Sequence, residues 1–168
     1  IADYNTFGTN VANTVQELED LGTTWKVIGS TAAVDAKDNI GTAAGVPIYR
    51  LDGNKVADDD ADLWDGDGWT DRLLLPIGIN EKGTAVSDGM VWTGTDHDGT
   101  AGLGPLGSDS PDPFPRYGSP TIASWSWISE GNPHGPTAPH PVYVISDVLI
   151  AWPNLFGDLD GNGYVDSA

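Results

Sequence analysis

Two stretches decide the fold: Thr24-Trp25-Lys26-Val27-Ile28-Gly29-Ser30, and Val46-Pro47-Ile48-Tyr49-Arg50-Leu51-Asp52-Gly53 with Lys55-Val56 close behind. Residues 24–28 mix aromatic, β-branched and one long polar side chain, the composition of a short strand. The second stretch reads as a strand over residues 46–51 that reaches Asp52-Gly53, a hairpin signal because Gly readily supplies the positive φ of the turn. Between them, residues 32–40 read as a short helix or turn. An α+β domain follows, in which short strands and tight turns dominate.

Upstream, Thr9-Asn10 reads as a helix N-cap, with Val11, Val15, Leu18 and Leu21 at helical spacing and Gly22 as the stop. Downstream, residues 58–71 form an aspartate-laden loop carrying Trp64 and Trp69, and the apolar run 73–77 follows. Residues 90–93 read as another strand. Residues 94–120 are rich in Gly, Pro, Ser and Asp with little periodicity, the mark of a long ordered loop or partly mobile surface. Residues 122–128 alternate, placing Ala123, Trp125 and Trp127 on one strand face. Residues 142–152 are almost continuously apolar, the pattern of a central strand buried on both faces.

The chain has 168 residues, enough for one sizeable core. Its 22 Gly and 12 Pro disfavour a helical bundle. With seven Lys and Arg against 25 Asp and Glu, the formal charge is −18, which disfavours nucleic acid and anionic membranes as partners. The absence of cysteine excludes disulfides and thiolate chemistry. No stretch approaches the ~20 apolar residues of a membrane span. The first residue is Ile1 rather than Met, consistent with a mature exported fragment.

The order of these pieces resembles the endostatin-like branch of the C-type-lectin-like fold. The resemblance is carried by residues 24–30 and 46–53, by Asp62-Leu63-Trp64-Asp65-Gly66, by Val91-Trp92-Thr93-Gly94-Thr95-Asp96 with Asp98-Gly99, and by Val142-Tyr143-Val144-Ile145. It implies an α+β domain with a twisted antiparallel sheet, one or two helices and long Gly/Pro-rich loops, over residues 1–153. It also implies a surface that binds partners. That family usually carries disulfides; here packing must serve instead, with Trp25, Trp92, Trp125 and Trp127 as the expected anchors. The Glu-Pro-Asn and Gln-Pro-Asp triplets of sugar-binding lectins are absent.

A second resemblance covers residues 154–168. Gly157-Asp158-Leu159-Asp160-Gly161-Asn162-Gly163-Tyr164-Val165-Asp166 is similar to the opening of a dockerin type I repeat, which uses an EF-hand-like calcium loop. Asp158, Asp160 and Asn162 stand at loop positions 1, 3 and 5, Gly163 at the sharp turn, Tyr164 offers its carbonyl at 7 and Asp166 stands at 9. Position 12, the bidentate carboxylate, falls one residue beyond Ala168, so a complete cage requires an oxygen ligand from elsewhere. A weaker candidate lies at Asp65, Asp67 and Asp71, with Thr70 where such a loop needs Gly; a cation site completed by Asp58, Asp59, Asp60 and Asp62 and a solvated turn both fit that stretch.

The sequence offers little for catalysis. His97, His134 and His140 lack zinc-ligand spacing and read as surface residues. There is no G-x-S-x-G elbow, and Glu81 with Glu130 forms a glycosidase pair only by assumption. Trp64 belongs to the core-forming stretch, leaving Trp69 as the exposed aromatic available to a partner. The leading expectation is a non-enzymatic secreted or cell-surface binding module with calcium as cofactor, recognising a glycan, matrix or protein partner. A subunit that self-assembles into an extracellular filament or array is the alternative, and a secreted hydrolase ranks third.

Overall fold

The computed structural model describes residues 1–65, 73–87, 89–108, 115–131 and 139–150. The chain forms a small α+β domain with short antiparallel sheets and few helices. The helices are α1 (Ala2–Ala12), α2 (Gln16–Glu19) and α3 (Ala36–Ile40). The strands are β1 (Trp25–Val27), β2 (Ile48–Tyr49), β3 (Lys55–Ala57), β4 (Val91–Trp92), β5 (Tyr117–Gly118) and β6 (Val144–Ser146). Among the described residues they form three separate antiparallel pairs, β1 with β6, β2 with β3 and β4 with β5, rather than one continuous sheet.

The expected hairpin is present: Arg50 N donates to Asn54 O at 2.9 Å, and Gly53 takes the positive φ of 80° that the turn demands. The strands over 24–28 and 90–93 and the short helix within 32–40 also form, each trimmed at its ends.

Three expectations are corrected. The first helix begins at Ala2, not after Thr9-Asn10, and Val15 adopts an extended conformation that separates it from α2. Asn5, Thr6, Gly8 and Asn10 are poor helix formers, so propensity hides this helix and tertiary packing makes it. Residues 122–128 are not a strand: Trp125–Trp127 is a 3-10 turn, which brings Trp127 into the core while Trp125 stays half-buried. Finally, the described part of 142–152 is no central strand. Its strand portion is β6 alone, half-buried and paired with β1, and Val148, Leu149 and Ile150 are exposed.

The main core gathers Ile28, Val56, Leu63, Leu73, Val91, Trp127, Ile128 and Tyr143, with Trp64 packed against it. Trp127 is its largest member and 1% exposed, 5.9 Å by ring centroid from Trp64 and 5.6 Å from Tyr143. Of the four expected anchors, Trp25 and Trp127 are buried, whereas Trp92 and Trp125 are only half so. The backbone packs closely at one point: a side chain at Gly118 would put its Cβ 1.8 Å from Trp127 O, so only Gly fits there.

Around β1 the packing has a second layer, where Trp25 joins Ala12 and Leu18. Helix α1 lies on β1 because Gly8 lets it: a Cβ there would stand 2.8 Å from Val144 Cγ1. The backbone of β1 then divides its hydrogen bonds between two sides. On one side Asp147 N donates to Thr24 O and Ile28 N donates to Tyr143 O. On the other, Trp25 N donates to Thr9 Oγ1 at 3.0 Å and Val27 N donates to Asn5 Oδ1 at 2.8 Å, so helix side chains stand where a third strand would.

Candidate functional site

Tyr4 and Phe7, three residues apart, share one face of α1. Strand β4 brings Trp92 up to the same place, and the backbone bond from Trp92 N to Pro141 O, 2.9 Å, ties it to the segment carrying His140 and Val142. His140 meets the Trp92 ring edge to face, with centroids 5.1 Å apart at 77°. Leu106 is buried to 5% exposure and held by its N–H on Ser30 O at 2.7 Å. These residues, with Gly107 and Pro115, line an open groove of about 440 Å³ whose walls are mainly apolar.

Phe7 lines this groove yet is 56% exposed. Among the described residues, Asp3 at the start of α1 brings a carboxylate to the groove, and no Lys or Arg lines it. Arg116, next to Pro115, is drawn instead to Asp96, with Nη2 3.3 Å from Oδ2.

A second cleft of about 340 Å³ runs between α1 and β1, lined by Asn5, Thr6, Thr9, Thr24 and Lys26 among others. Most of these polar groups are engaged within the chain, whereas the buried Trp25 Nε1 has no hydrogen-bond partner among the described residues. Asn5 and Thr9 serve the edge of β1, Thr6 Oγ1 donates to Ala2 O, and Thr24 and Lys26 both reach Asp147. Lys26 and Thr24 hold the Asp147 carboxyl below the usual carboxylate range.

The acidic loop behaves as internal scaffolding in its described part. Asp59 accepts from the N–H groups of Gly45, Ala61 and Asp62, Asp60 from that of Ala43, and Asp62 from that of Asp58. The N–H groups of Gly45 and Asp62 are the main reason the Asp59 carboxyl sits below its ordinary range. Asp58 pairs with Lys55. The four carboxylates expected to complete a cation cage at Asp65, Asp67 and Asp71 are thus engaged with the chain itself. Asp65 is exposed; Asp67, Trp69 and Asp71 lie outside the described residues, as do Asp158, Asp160, Asn162, Tyr164 and Asp166. Among the described residues, no group of three His, Asp or Glu side chains converges to hold a metal ion.

Ser129, Asp96 and His97 do meet, but not in the order of a nucleophilic triad. Ser129 Oγ donates to Asp96 Oδ1 at 3.0 Å, and His97 Nδ1 lies 3.1 Å from the same oxygen. The carboxylate stands in the middle, whereas nucleophilic catalysis needs the imidazole between serine and acid. Glu81 lies in the turn closed by Asn80 and Thr84, and Glu130 is exposed beyond the Trp125–Trp127 turn. His134 lies outside the described residues.

Compared with protein-family models, with curated proteins and with solved structures, the chain matches none. No helix among the described residues is long and apolar enough to cross a membrane.

The sequence does not show the groove: by sequence Trp69 reads as the interface aromatic and Trp92 as a core anchor. Its one sequence signal is the pair Tyr4 and Phe7 at helical spacing, which counts only once Ala2–Ala12 is known to be helical. Trp92, Leu106 and His140 come together only through tertiary structure.

Proposed function

We propose that the chain is a non-enzymatic recognition module of a secreted or cell-surface protein, built on a C-type-lectin-like, endostatin-like domain, that docks an extracellular partner in the groove between α1 and Trp92. The observation that carries the proposal is the half-exposed aromatic lining of an open apolar groove. Aromatic side chains supply large contact area at little entropic cost, and they dominate binding energy where they cluster. The size falls within the range of binding clefts. In this reading the 158–166 loop binds calcium and belongs to a dockerin-like appendage, a part that rests on sequence alone.

The test is a screen of glycans and extracellular protein segments with the native chain and with Phe7→Ala. Phe7 is exposed enough that its loss leaves the core intact. Partners whose binding falls at least about tenfold in Phe7→Ala support the proposal; partners bound equally by both chains place recognition elsewhere.

A second reading, self-assembly, draws on the exposed run Val148, Leu149 and Ile150, of which Ile150 is 80% exposed. An apolar projection and an apolar groove on one chain are the ingredients of a head-to-tail contact, which propagates when its rotation does not close. Light scattering across a concentration series separates the two. Mass rising with concentration, and lost in Ile150→Ser, favours assembly.

A further inference from the structure

We infer that the groove's partner is a basic protein segment, one that places an arginine or lysine head against Trp92, Tyr4 and Phe7 with its charge toward Asp3; this rests on the reading of the groove as the docking surface. Three aromatic side chains line one groove, and their faces attract cations through the ring quadrupole, most strongly for indole and when water is excluded. A groove meant for a neutral apolar ligand needs no carboxylate, yet Asp3 lines this one and, among the described residues, no Lys or Arg lines it to neutralise that charge.

The long-range field agrees. At a formal charge of −18 the molecule repels anionic ligands and steers cationic ones, raising encounter rates with basic partners in a salt-dependent way. Field alone would hold a basic segment anywhere on the acidic surface, for instance at residues 58–62. There, however, Asp59, Asp60 and Asp62 already accept N–H groups of their own chain and Asp58 pairs with Lys55. Among the described residues Asp3 has no side-chain partner of this kind, so the groove joins an available carboxylate to the aromatic surface. Arginine suits it better than lysine, because a planar, weakly hydrated guanidinium stacks on an indole and still presents its N–H fork to a carboxylate.

The experiment is a titration of the full chain, followed by the assigned Trp92 indole N–H signal in two-dimensional NMR. The probes are a short Gly/Ser peptide with two arginines, the same peptide with citrulline in their place, and a neutral glucose oligosaccharide. The titration is run at about pH 8, above the ordinary imidazole range, so that the added charge comes from the peptide. The arginine peptide is expected to move the Trp92 signal, with affinity at least about fivefold above the citrulline peptide and reduced about threefold or more by Asp3→Asn and by Phe7→Ala. Equal effects of arginine and citrulline peptides would overturn the cationic partner and leave the groove a docking surface. Movement by the oligosaccharide but not the arginine peptide would do the same. Binding of the arginine peptide with no response at Trp92 and no loss in either variant would overturn both readings, since surface charge alone would then account for it.

Discussion

The Asn5 side-chain oxygen accepts the backbone N–H of Val27 at 2.8 Å, across 22 residues of sequence. Around it the outer edge of β1 is fully served by side chains: Thr9 accepts from Trp25 N and donates to Trp25 O at 3.2 Å, and Asn39 Nδ2 donates to Val27 O at 2.8 Å. Asn5 and Asn39 also bond each other, at 2.8 and 3.0 Å. An unpaired strand edge is a template for unwanted pairing, and α1 closes this one without adding a strand.

Replacing Thr9 by Val keeps the shape but leaves both polar groups of Trp25 unpaired. A loss of about 1–3 kcal/mol in chemical denaturation is expected, with a comparable loss for Asn5→Ala and a smaller one for Asn5→Asp, which keeps the acceptor. Equal stability of Thr9→Val and the native chain would mean that α1 does not seal this edge.

Gly8→Ala sets two principles against each other. Helix propensity favours Ala by about 1 kcal/mol, but the new Cβ falls 2.8 Å from Val144 Cγ1, and overpacking costs about 1–3 kcal/mol. Destabilisation is expected, with recovery in the double variant Gly8→Ala, Val144→Ala. A rise in melting temperature for the single variant would show that α1 is free to stand off from β1.

Trp127 and Trp92, two of the four expected anchors, should separate. Trp127→Ala removes a side chain 1% exposed and should cost about 3–5 kcal/mol, whereas Trp92→Ala, at the groove, should cost less than half as much. Equal losses would put Trp92 back in the core and weaken its role as a binding surface.

Asp96 gives the pH dependence a sign. Burial pushes its carboxyl up, but the N–H and ring of His97, the Arg116 charge and the Ser129 hydroxyl outweigh this and hold it below the ordinary 3.8. A depressed folded-state value means stability that is present above the unfolded value and lost as pH falls through the folded one. Stability should therefore decline as pH drops below 3.8, and Asp96→Asn should flatten that decline while lowering stability at neutral pH. An acid limb unchanged in Asp96→Asn would assign it to other carboxylates.

Calcium should raise the melting temperature more than sodium at matched ionic strength, because an oxygen cage discriminates where screening does not. Replacing Asp158 and Asp160 by Ala should erase the difference. Identical melting curves in the two salts would remove calcium from the account.

Local chemistry explains what was readable. The hairpin at Asp52-Gly53 announces itself because Gly53 is needed for one turn, and β1 and β4 because short β-branched and aromatic runs have few other uses. Elements held by distant partners left no such trace. Helix α1 depends on Val27 and Val144 to receive Gly8, and the Trp125–Trp127 turn depends on a core that accepts Trp127 alone. The groove draws on α1, β4 and the approach to β6, so no local pattern could show it; Thr9, read as a helix cap, belongs to the edge of β1 instead. Residues 58–62 were legible as acidic, but their use as acceptors for backbone N–H groups needed the fold.

The most direct test of the account is to map where small probes bind, with a panel of aromatic, guanidinium and neutral sugar compounds titrated into the labelled protein and backbone and indole shifts followed. Shifts concentrated at Tyr4, Phe7, Trp92 and Val142 are predicted. Shifts concentrated in the α1–β1 cleft around Thr9 and Lys26, or along residues 58–65, with the groove silent, would contradict it.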